Sequence, residues 1–251
     1  MFQWYRNWRT PGAGRHDRLP QADWQRLLSA FPWLRRYDAA SLERLRGLVG
    51  AFLAEKAIEP AGGMVLTAAT RQSIALQACV PILGLGLTWY QGWHSVIVYP
   101  GDFRVHHSWM DDDGVVHEGQ EVRAGEAWEA GPVILSWAAD DPDSTAVVVH
   151  EFAHKLDMRN GVANGMPPLH RGMDRGEWTR VFARAYDDFS ARVDEGEPLP
   201  FDAYAATDPA EFFAVVSEVF LLEPDRLREA YPAVYEQLIA FYRWRPSLAN
   251  R

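Results

Sequence analysis

The chain has 251 residues, which is long enough for one sizeable core or at most two small domains. Hydrophobic residues make up 48% and charged residues 24%, a globular composition that excludes a disordered or low-complexity chain. A formal charge of −9 argues against a general nucleic-acid binder, and the single cysteine, Cys79, excludes an internal disulfide or a thiolate metal cage.

The first 19 residues are predicted to form a loose arm, because Pro11, Gly12 and Gly14 interrupt any helix. No apolar segment follows this basic and aromatic N-terminus, so it does not have the form of a secretory signal. The longest apolar stretch, residues 78–90, has 13 residues and is too short to cross a membrane, which takes about 20. These features predict a cytoplasmic protein.

Residues 20–251 contain no repeat and no long flexible linker, and are predicted to form one domain. Charge is uneven along the chain: residues 1–50 carry nine Arg against four acids, whereas residues 101–160 carry thirteen acids against four basic residues. One interpretation is a solvated basic helix face with acidic loops elsewhere. The other is that the Arg- and Trp-rich arm contacts a partner or folds over an acidic cleft.

The spacing of apolar residues predicts helices within residues 21–56 and 67–83. Ser41 offers only half of a capping signature, since Arg44 stands where a capping box has Glu. The middle of the chain then changes to short segments rich in β-branched and aromatic residues, separated by turn signals. The predicted strands are residues 95–99, 104–109, 115–121 and 133–137.

Short connections between these strands favour antiparallel pairing. After residue 143 the helical spacing returns and predicts four more helices, at about 144–158, 174–193, 208–222 and 224–243. The order of helices, strands and helices predicts an α+β fold in which helices surround a small, mainly antiparallel sheet.

One predicted helix carries a His-Glu-x-x-His motif formed by His150, Glu151 and His154. Residues four apart share a helix face, so both imidazoles can bind one Zn²⁺ at about 2.0–2.1 Å. Glu151 leaves the helix about 100° from His150, a position that suits a base acting on water. Two surface histidines on an ordinary helix are the alternative, which fits poorly because the neighbouring residues are apolar and buried imidazoles need partners. Lys155 departs from the usual zincin pattern, in which this position is commonly uncharged.

A catalytic zinc site needs a third protein ligand and an open position. No third histidine follows His154 at metzincin spacing, so a carboxylate from a second helix is expected. Glu211 is favoured, although it lies three residues after the predicted N-cap Asp208, where a capping-box glutamate has a purely structural role. Glu218, one heptad later, is the alternative ligand. Asp157 is expected to be an outer-sphere or surface carboxylate.

With these residues the chain resembles the bacterial Mlc titration factor A family, zinc metallopeptidases related in their site to the anthrax lethal factor catalytic domain. The most specific segments are His-Glu-Phe-Ala-His-Lys-Leu-Asp at residues 150–157 and residues 202–218, which run from Asp-Ala-Tyr to Val-Ser-Glu. The supporting segments are residues 51–56, 77–79, 95–100 and 131–137. The resemblance extends over nearly the whole chain, and only the first twenty and the last few residues lack a convincing match.

The resemblance implies a gluzincin-type minimal metallopeptidase fold and one Zn²⁺ held by His150, His154 and Glu211. It implies that Glu151 is the catalytic base. It also implies that Tyr204 faces the reacting carbonyl, where its hydroxyl can donate to the developing oxyanion. The alternative for Tyr204 is a core aromatic residue with a solvated hydroxyl.

His117 matches a position that the family treats as metal-associated. Four protein ligands fill a tetrahedral shell and leave no place for water, so a His117 ligand implies a resting, self-inhibited state. The alternative is a surface histidine at the end of a strand.

The leading hypothesis is zinc-dependent hydrolysis of a peptide or protein substrate, with aminopeptidase-like activity implied by the resemblance. The resemblance also implies binding of the glucose-responsive repressor Mlc, which relieves repression of a glucose phosphotransferase gene. The rival is a non-catalytic protein that sequesters the repressor and has a structural or vestigial zinc site. Neither hypothesis includes direct contact with nucleic acid or a membrane. The strand at residues 133–137 is a candidate for pairing with extended substrate.

Overall fold

The computed structural model describes residues 18–100, 103–110, 116–123, 125–127, 131–137 and 144–247. Between residues 103 and 127, and at residues 144 and 145, only the backbone is described. Most of the predicted N-terminal arm, residues 1–17, therefore lies outside the described residues. Its last residue, Leu19, is buried, and its carbonyl accepts a hydrogen bond from Nε of Arg46 at 2.7 Å.

Helices make up most of the described chain. They are α1 (Gln21–Ala30), α2 (Ala39–Glu55), α3 (Ala68–Cys79), α4 (Ser144–Asp157), α5 (Arg175–Asp194), α6 (Pro209–Leu222), α7 (Pro224–Ala230) and α8 (Pro232–Tyr242). Short 3-10 helices lie at Pro32–Arg36, Leu87–Tyr90, Met158–Asn160 and Ala203–Ala206. The helical regions predicted from the sequence are all present.

Two of the predicted helical regions are divided. Pro32 begins a 3-10 helix between α1 and α2, and Pro232 begins α8 directly after α7, because proline has no N–H to continue the preceding helix. The N-cap of α2 is Asp38, whose side chain accepts from the N–H of Ser41 at 2.8 Å. Ser41 is thus the donor in the capping interaction rather than the cap itself.

Six strands are described: β1 (Ala57–Pro60), β2 (Ser95–Tyr99), β3 (Phe103–Met110), β4 (Val116–Arg123), β5 (Gly125–Ala127) and β6 (Val133–Ser136). β1, β2, β6 and β5 form one sheet in that order, while β3 and β4 form a separate antiparallel hairpin. Within the four-stranded sheet, β1 pairs with β2 and β2 with β6 in parallel, and only β5 and β6 are antiparallel.

The α+β class is confirmed, but the prediction of a mainly antiparallel sheet is wrong. The chain passes through α3 between β1 and β2, and through the β3–β4 hairpin and β5 between β2 and β6. Connections of this length return the chain to the same end of the sheet, which makes the neighbouring strands parallel.

β6 also has no free edge for a substrate over most of its length. β2 pairs with Val133–Ser136 on one side, and β5 pairs with Val133–Leu135 on the other. The expectation that this strand binds extended substrate is therefore wrong.

Helix α4 lies in the core of the molecule, between the sheet and α6. The ring of Phe152 on α4 contacts an aromatic cluster, with centroids 5.8 Å from Phe52, 5.2 Å from Tyr90 and 5.8 Å from Trp93. None of the helices in the described part of the chain combines the length and the apolar character that a membrane crossing requires.

Candidate metal centre

Both histidines of the motif are held by a deeply buried helix. Val149, Phe152 and Leu156 of α4 are fully excluded from solvent, so the helix is fixed in rotation by its apolar residues. His150 and His154, one turn apart, lie on the side of α4 that meets α6, with ring centroids 4.8 Å apart. The apolar residues around the motif predicted that this helix is buried, and the structure confirms it.

The first turn of α6 brings Glu211 to these histidines. Asp208 caps the helix, and its Oδ1 accepts from the N–H groups of Ala210 at 2.8 Å and Glu211 at 2.9 Å. Pro209 occupies the first helical position, which needs no N–H donor. Glu211 is at the capping-box position, but its side chain turns to the two imidazoles.

Three ligand atoms converge between the two helices. Oε2 of Glu211 lies 2.9 Å from Nε2 of His150 and 3.1 Å from Nε2 of His154, and the two nitrogens are 3.1 Å apart. Two imidazole lone pairs at this distance repel one another unless a proton or a cation lies between them. Ligand atoms around a tetrahedral metal ion at about 2.0–2.1 Å stand about 3.3 Å apart, which is close to these three separations. The group can therefore hold a metal ion.

The charges at the cluster also favour a cation. Burial lowers the pKa of His150, but the hydrogen bond to Glu211 and the nearby carboxylates of Glu218 and Glu151 outweigh it and raise the pKa to about 10. Burial raises the pKa of Glu211, but its hydrogen bonds to His150 and His154 hold it far below the ordinary range. Without a metal, a proton on the imidazoles balances this carboxylate.

The sequence left open whether Glu211 or Glu218 of α6 is the third ligand, and the structure places these two carboxylates differently. Glu211 meets both Nε2 atoms, whereas Oε2 of Glu218 lies 3.8 Å from Nδ1 of His150, on the other side of that ring. The carboxylate of Glu218 therefore faces Nδ1 of His150 and provides none of the three atoms that could bind the metal.

Asp157, at the end of α4, is fully buried, so it is not a surface carboxylate. Its Oδ2 accepts from the N–H groups of Asn164 at 2.8 Å and Gly165 at 2.7 Å. Burial raises the pKa of Asp157, while those two hydrogen bonds and a positive charge on His154 act in the opposite direction.

Glu151 and Tyr204 both lie beside His150. Glu151 is buried and is the next residue along α4. The ring of Tyr204 is 6.0 Å from the ring of His150 and 43% exposed, which excludes the alternative of a core aromatic residue. Asp202 fixes the 3-10 helix that carries Tyr204 by accepting from its N–H at 2.9 Å.

His117 belongs to β4, where its backbone pairs with Trp109 of β3. The side chain of His117 lies outside the described residues, so its place in the metal shell stays a prediction.

Sequence reasoning did not anticipate the role of Lys155. This buried side chain donates to the carbonyl of Gly131 at 2.9 Å, and its Nζ lies 5.3 Å from the ring centroid of Trp93. It therefore joins α4 to the turn that leads into β6. A lysine one residue after a buried histidine of the motif was the available signal, because a buried ammonium needs acceptors.

Similarity to known proteins extends over most of the chain. A family model described as glucose-regulated metallo-peptidase M90 matches residues 2–243. Proteins named Mlc titration factor A from Yersinia pestis (strain Pestoides F) and Yersinia pseudotuberculosis (serotype O:1b, strain IP 31758) are each 38% identical over 234 residues. Each alignment covers 90% of this chain and 85% of the relative. Since the family match begins at residue 2, the expectation that the first twenty residues lack a match is wrong.

Proposed function

The chain belongs to the glucose-regulated metallo-peptidase M90 family, and on this premise we propose that it is a zinc-dependent peptide hydrolase. The observation that carries the proposal is the convergence of two imidazole nitrogens and one carboxylate oxygen within 3.1 Å of one another. Two histidines and a glutamate are the ligand set of several zinc hydrolases, and three protein ligands leave a fourth position open.

His150, His154 and Glu211 are the residues that hold the ion in this proposal. Zn²⁺ in such a site supplies Lewis acidity and makes water acidic enough to lose a proton near neutral pH. The residue type and the donor geometry support zinc over magnesium or calcium, which prefer oxygen ligands.

Glu151 and Tyr204 are assigned the proton transfer and the stabilisation of charge. Glu151, buried beside His150, takes a proton from the attacking water and gives it to the leaving amine. The hydroxyl of Tyr204, whose ring lies 6.0 Å from that of His150, donates to the carbonyl oxygen of the substrate as negative charge develops there. The half-exposed ring is accessible to a substrate that enters from solvent.

Substrate preference is the finer part of the proposal. We propose aminopeptidase activity, which rests on the resemblance to the Mlc titration factor A family. Chromogenic amino-acid amides, compared with internally quenched peptides blocked at the N-terminus, distinguish this activity from endopeptidase activity.

The experiment that tests the proposed chemistry is Glu151→Gln. The amide keeps the size of the side chain and cannot act as a base, so turnover should fall at least about 100-fold while the zinc content stays at one per chain. Glu195→Gln, an exposed glutamate at the end of α5, is the matched control and should keep full activity. Full activity in Glu151→Gln would contradict the assigned mechanism.

A second role is supported by the name of the relatives. We propose that the chain also binds a Mlc-type transcriptional repressor and thereby regulates glucose phosphotransferase expression. The proposal includes a cytoplasmic location, where such a repressor acts. Binding by Glu151→Gln as tight as by the wild type would separate this role from catalysis.

The alternative function is repressor sequestration without catalysis, with a structural or vestigial zinc site. It predicts a wild-type protein that binds zinc and repressor but hydrolyses no peptide in either assay. Measurable hydrolysis that is lost in Glu151→Gln excludes it.

A further inference from the structure

Each histidine of the cluster has a second ring nitrogen, Nδ1, on the side away from Glu211. Nδ1 of His150 faces Glu218 at 3.8 Å. Nδ1 of His154 is completely buried and has no hydrogen-bond partner among the described residues. Metal-binding histidines almost always donate this second N–H to a carboxylate, a carbonyl or water, and buried donors are rarely left unpaired.

Asp157 provides an acceptor one helical turn after His154. Its Oδ1 is buried and is likewise without a hydrogen-bond partner within the described part of the chain, although its Oδ2 accepts twice. Residues three apart share a helix face, and side chains on a helix lean towards its N-terminus, so the carboxylate leans over the turn of His154. Among the residues whose side chains are described, Nδ1 of His154 thus lacks an acceptor, and Oδ1 of Asp157, one helical turn away, lacks a donor.

The other oxygen of Asp157 binds a loop that closely contacts α6. Oδ2 accepts from the N–H of Gly165, whose φ is +77°. A Cβ on Gly165 would lie 2.4 Å from the carbonyl oxygen of Pro209, so the loop touches the backbone of α6 at its first residue. Glu211 is two residues further along the same turn.

We propose that Asp157 is a positioning residue of the metal centre. In the metal-bound protein its Oδ1 accepts a hydrogen bond from the Nδ1–H of His154, directly or across one water molecule, and keeps the Nε2 lone pair directed at the metal. Its Oδ2 holds residues 164–165 against the start of α6, which carries Glu211. One buried carboxylate thereby couples ligands on two helices. The inference rests on the proposed function, because it requires that a metal ion is bound.

Asp157→Asn tests this role without removing the loop contact. The amide oxygen still accepts from the N–H groups of Asn164 and Gly165, but the amide NH₂ cannot accept a hydrogen bond from the Nδ1–H of His154. The dissociation constant for Zn²⁺, measured by chelator competition on metal-free protein, should rise about 10–100-fold. The thermal midpoint of the metal-free protein should stay close to that of the wild type.

Two controls accompany this variant. Asp38→Asn changes another acid that accepts from a backbone N–H, at the start of α2, and should leave zinc affinity unchanged. Tyr242→Phe removes a buried hydroxyl near Asp157; the pKa of this hydroxyl is raised by burial and by the charge of Asp157. It should change zinc affinity about threefold or less.

A measurement on the wild type keeps the test independent of how the variant folds. In zinc-loaded protein with ¹⁵N-labelled histidine, the proton of His154 should reside on Nδ1 and exchange slowly with solvent. Zinc affinity within about threefold of the wild type in Asp157→Asn, or a His154 that binds zinc through Nδ1, would overturn the inference alone. A wild-type protein that takes up no zinc would overturn the proposed function and the inference together.

Discussion

His150 retains a proton in the metal-free protein because carboxylates lie on both sides of its ring. Burial lowers the pKa of this imidazole, yet its interactions with Glu211 and Glu218 raise it to about 10. The proton and a metal ion therefore compete for the same group. Metal affinity must depend on pH well above the ordinary histidine range of about 6.5.

We predict that zinc uptake at pH 7–9 releases close to one proton per ion, from His150. The metal-free protein keeps this proton until the pH approaches about 10. Each increase of one pH unit below that value therefore makes it easier for the metal ion to displace the proton. The apparent dissociation constant for Zn²⁺ should accordingly fall about tenfold per pH unit in this range. Calorimetry in buffers with different ionisation enthalpies measures the released proton; heats that do not depend on the buffer would count against it.

The sequence predicted that His150, His154 and a glutamate of α6 lie close together, but not all of their contacts. The spacing of His150, Glu151 and His154 was sufficient to place them together, because helix geometry is local. The choice between Glu211 and Glu218 stayed open, since the two lie seven residues apart on one face of α6. Only the packing of α6 on α4 decides which carboxylate meets Nε2 of the histidines.

The first turn of α6 is the element on which the third candidate ligand depends. Asp208 accepts from two N–H groups of this turn, including that of Glu211 itself. An aspartate cap contributes to the stability of a helix and also fixes the conformation of the residues that follow it. The position of Glu211 is therefore sensitive to Asp208, although Asp208 provides no ligand atom in the cluster.

Asp208→Ala should lower the free energy of unfolding of the metal-free protein by about 1 kcal/mol and weaken zinc binding at least about threefold. Asp38→Ala, which removes the cap of α2, is the matched control: it should lose similar stability and keep its zinc affinity. Denaturant unfolding and chelator competition measure the two quantities. Equal zinc affinities in the two variants would show that the cap does not position Glu211.

For the sheet, the sequence predicted where strands lie better than how they pair. β2 occupies the predicted residues 95–99, because its β-branched and aromatic residues and the turn signal that follows them are local features of the sequence. β1 is only four residues long and ends in Pro60, so it carries little strand signal. Without β1, the role of α3 as the crossover of a parallel pair could not be inferred.

Across the whole molecule, the candidate site joins parts of the chain that lie far apart in sequence. Residues 150–157 and 202–218 carry it, and α5 lies between them. The α+β class followed from the order of helices and strands, which composition and periodicity reveal. The contact of α4 with α6 is a property of the packed core, and the family resemblance anticipated it better than any local pattern.

The proposed site holds one metal ion between α4 and α6. Its most direct test is a crystal structure of protein loaded with one equivalent of Zn²⁺, with diffraction measured on both sides of the zinc absorption edge. The anomalous difference map should contain one peak, in contact with Nε2 of His150, Nε2 of His154 and a carboxylate oxygen of Glu211, and the peak should be lost in Glu211→Ala. Fully loaded wild-type crystals without a peak at these three atoms would contradict the assignment of this metal site.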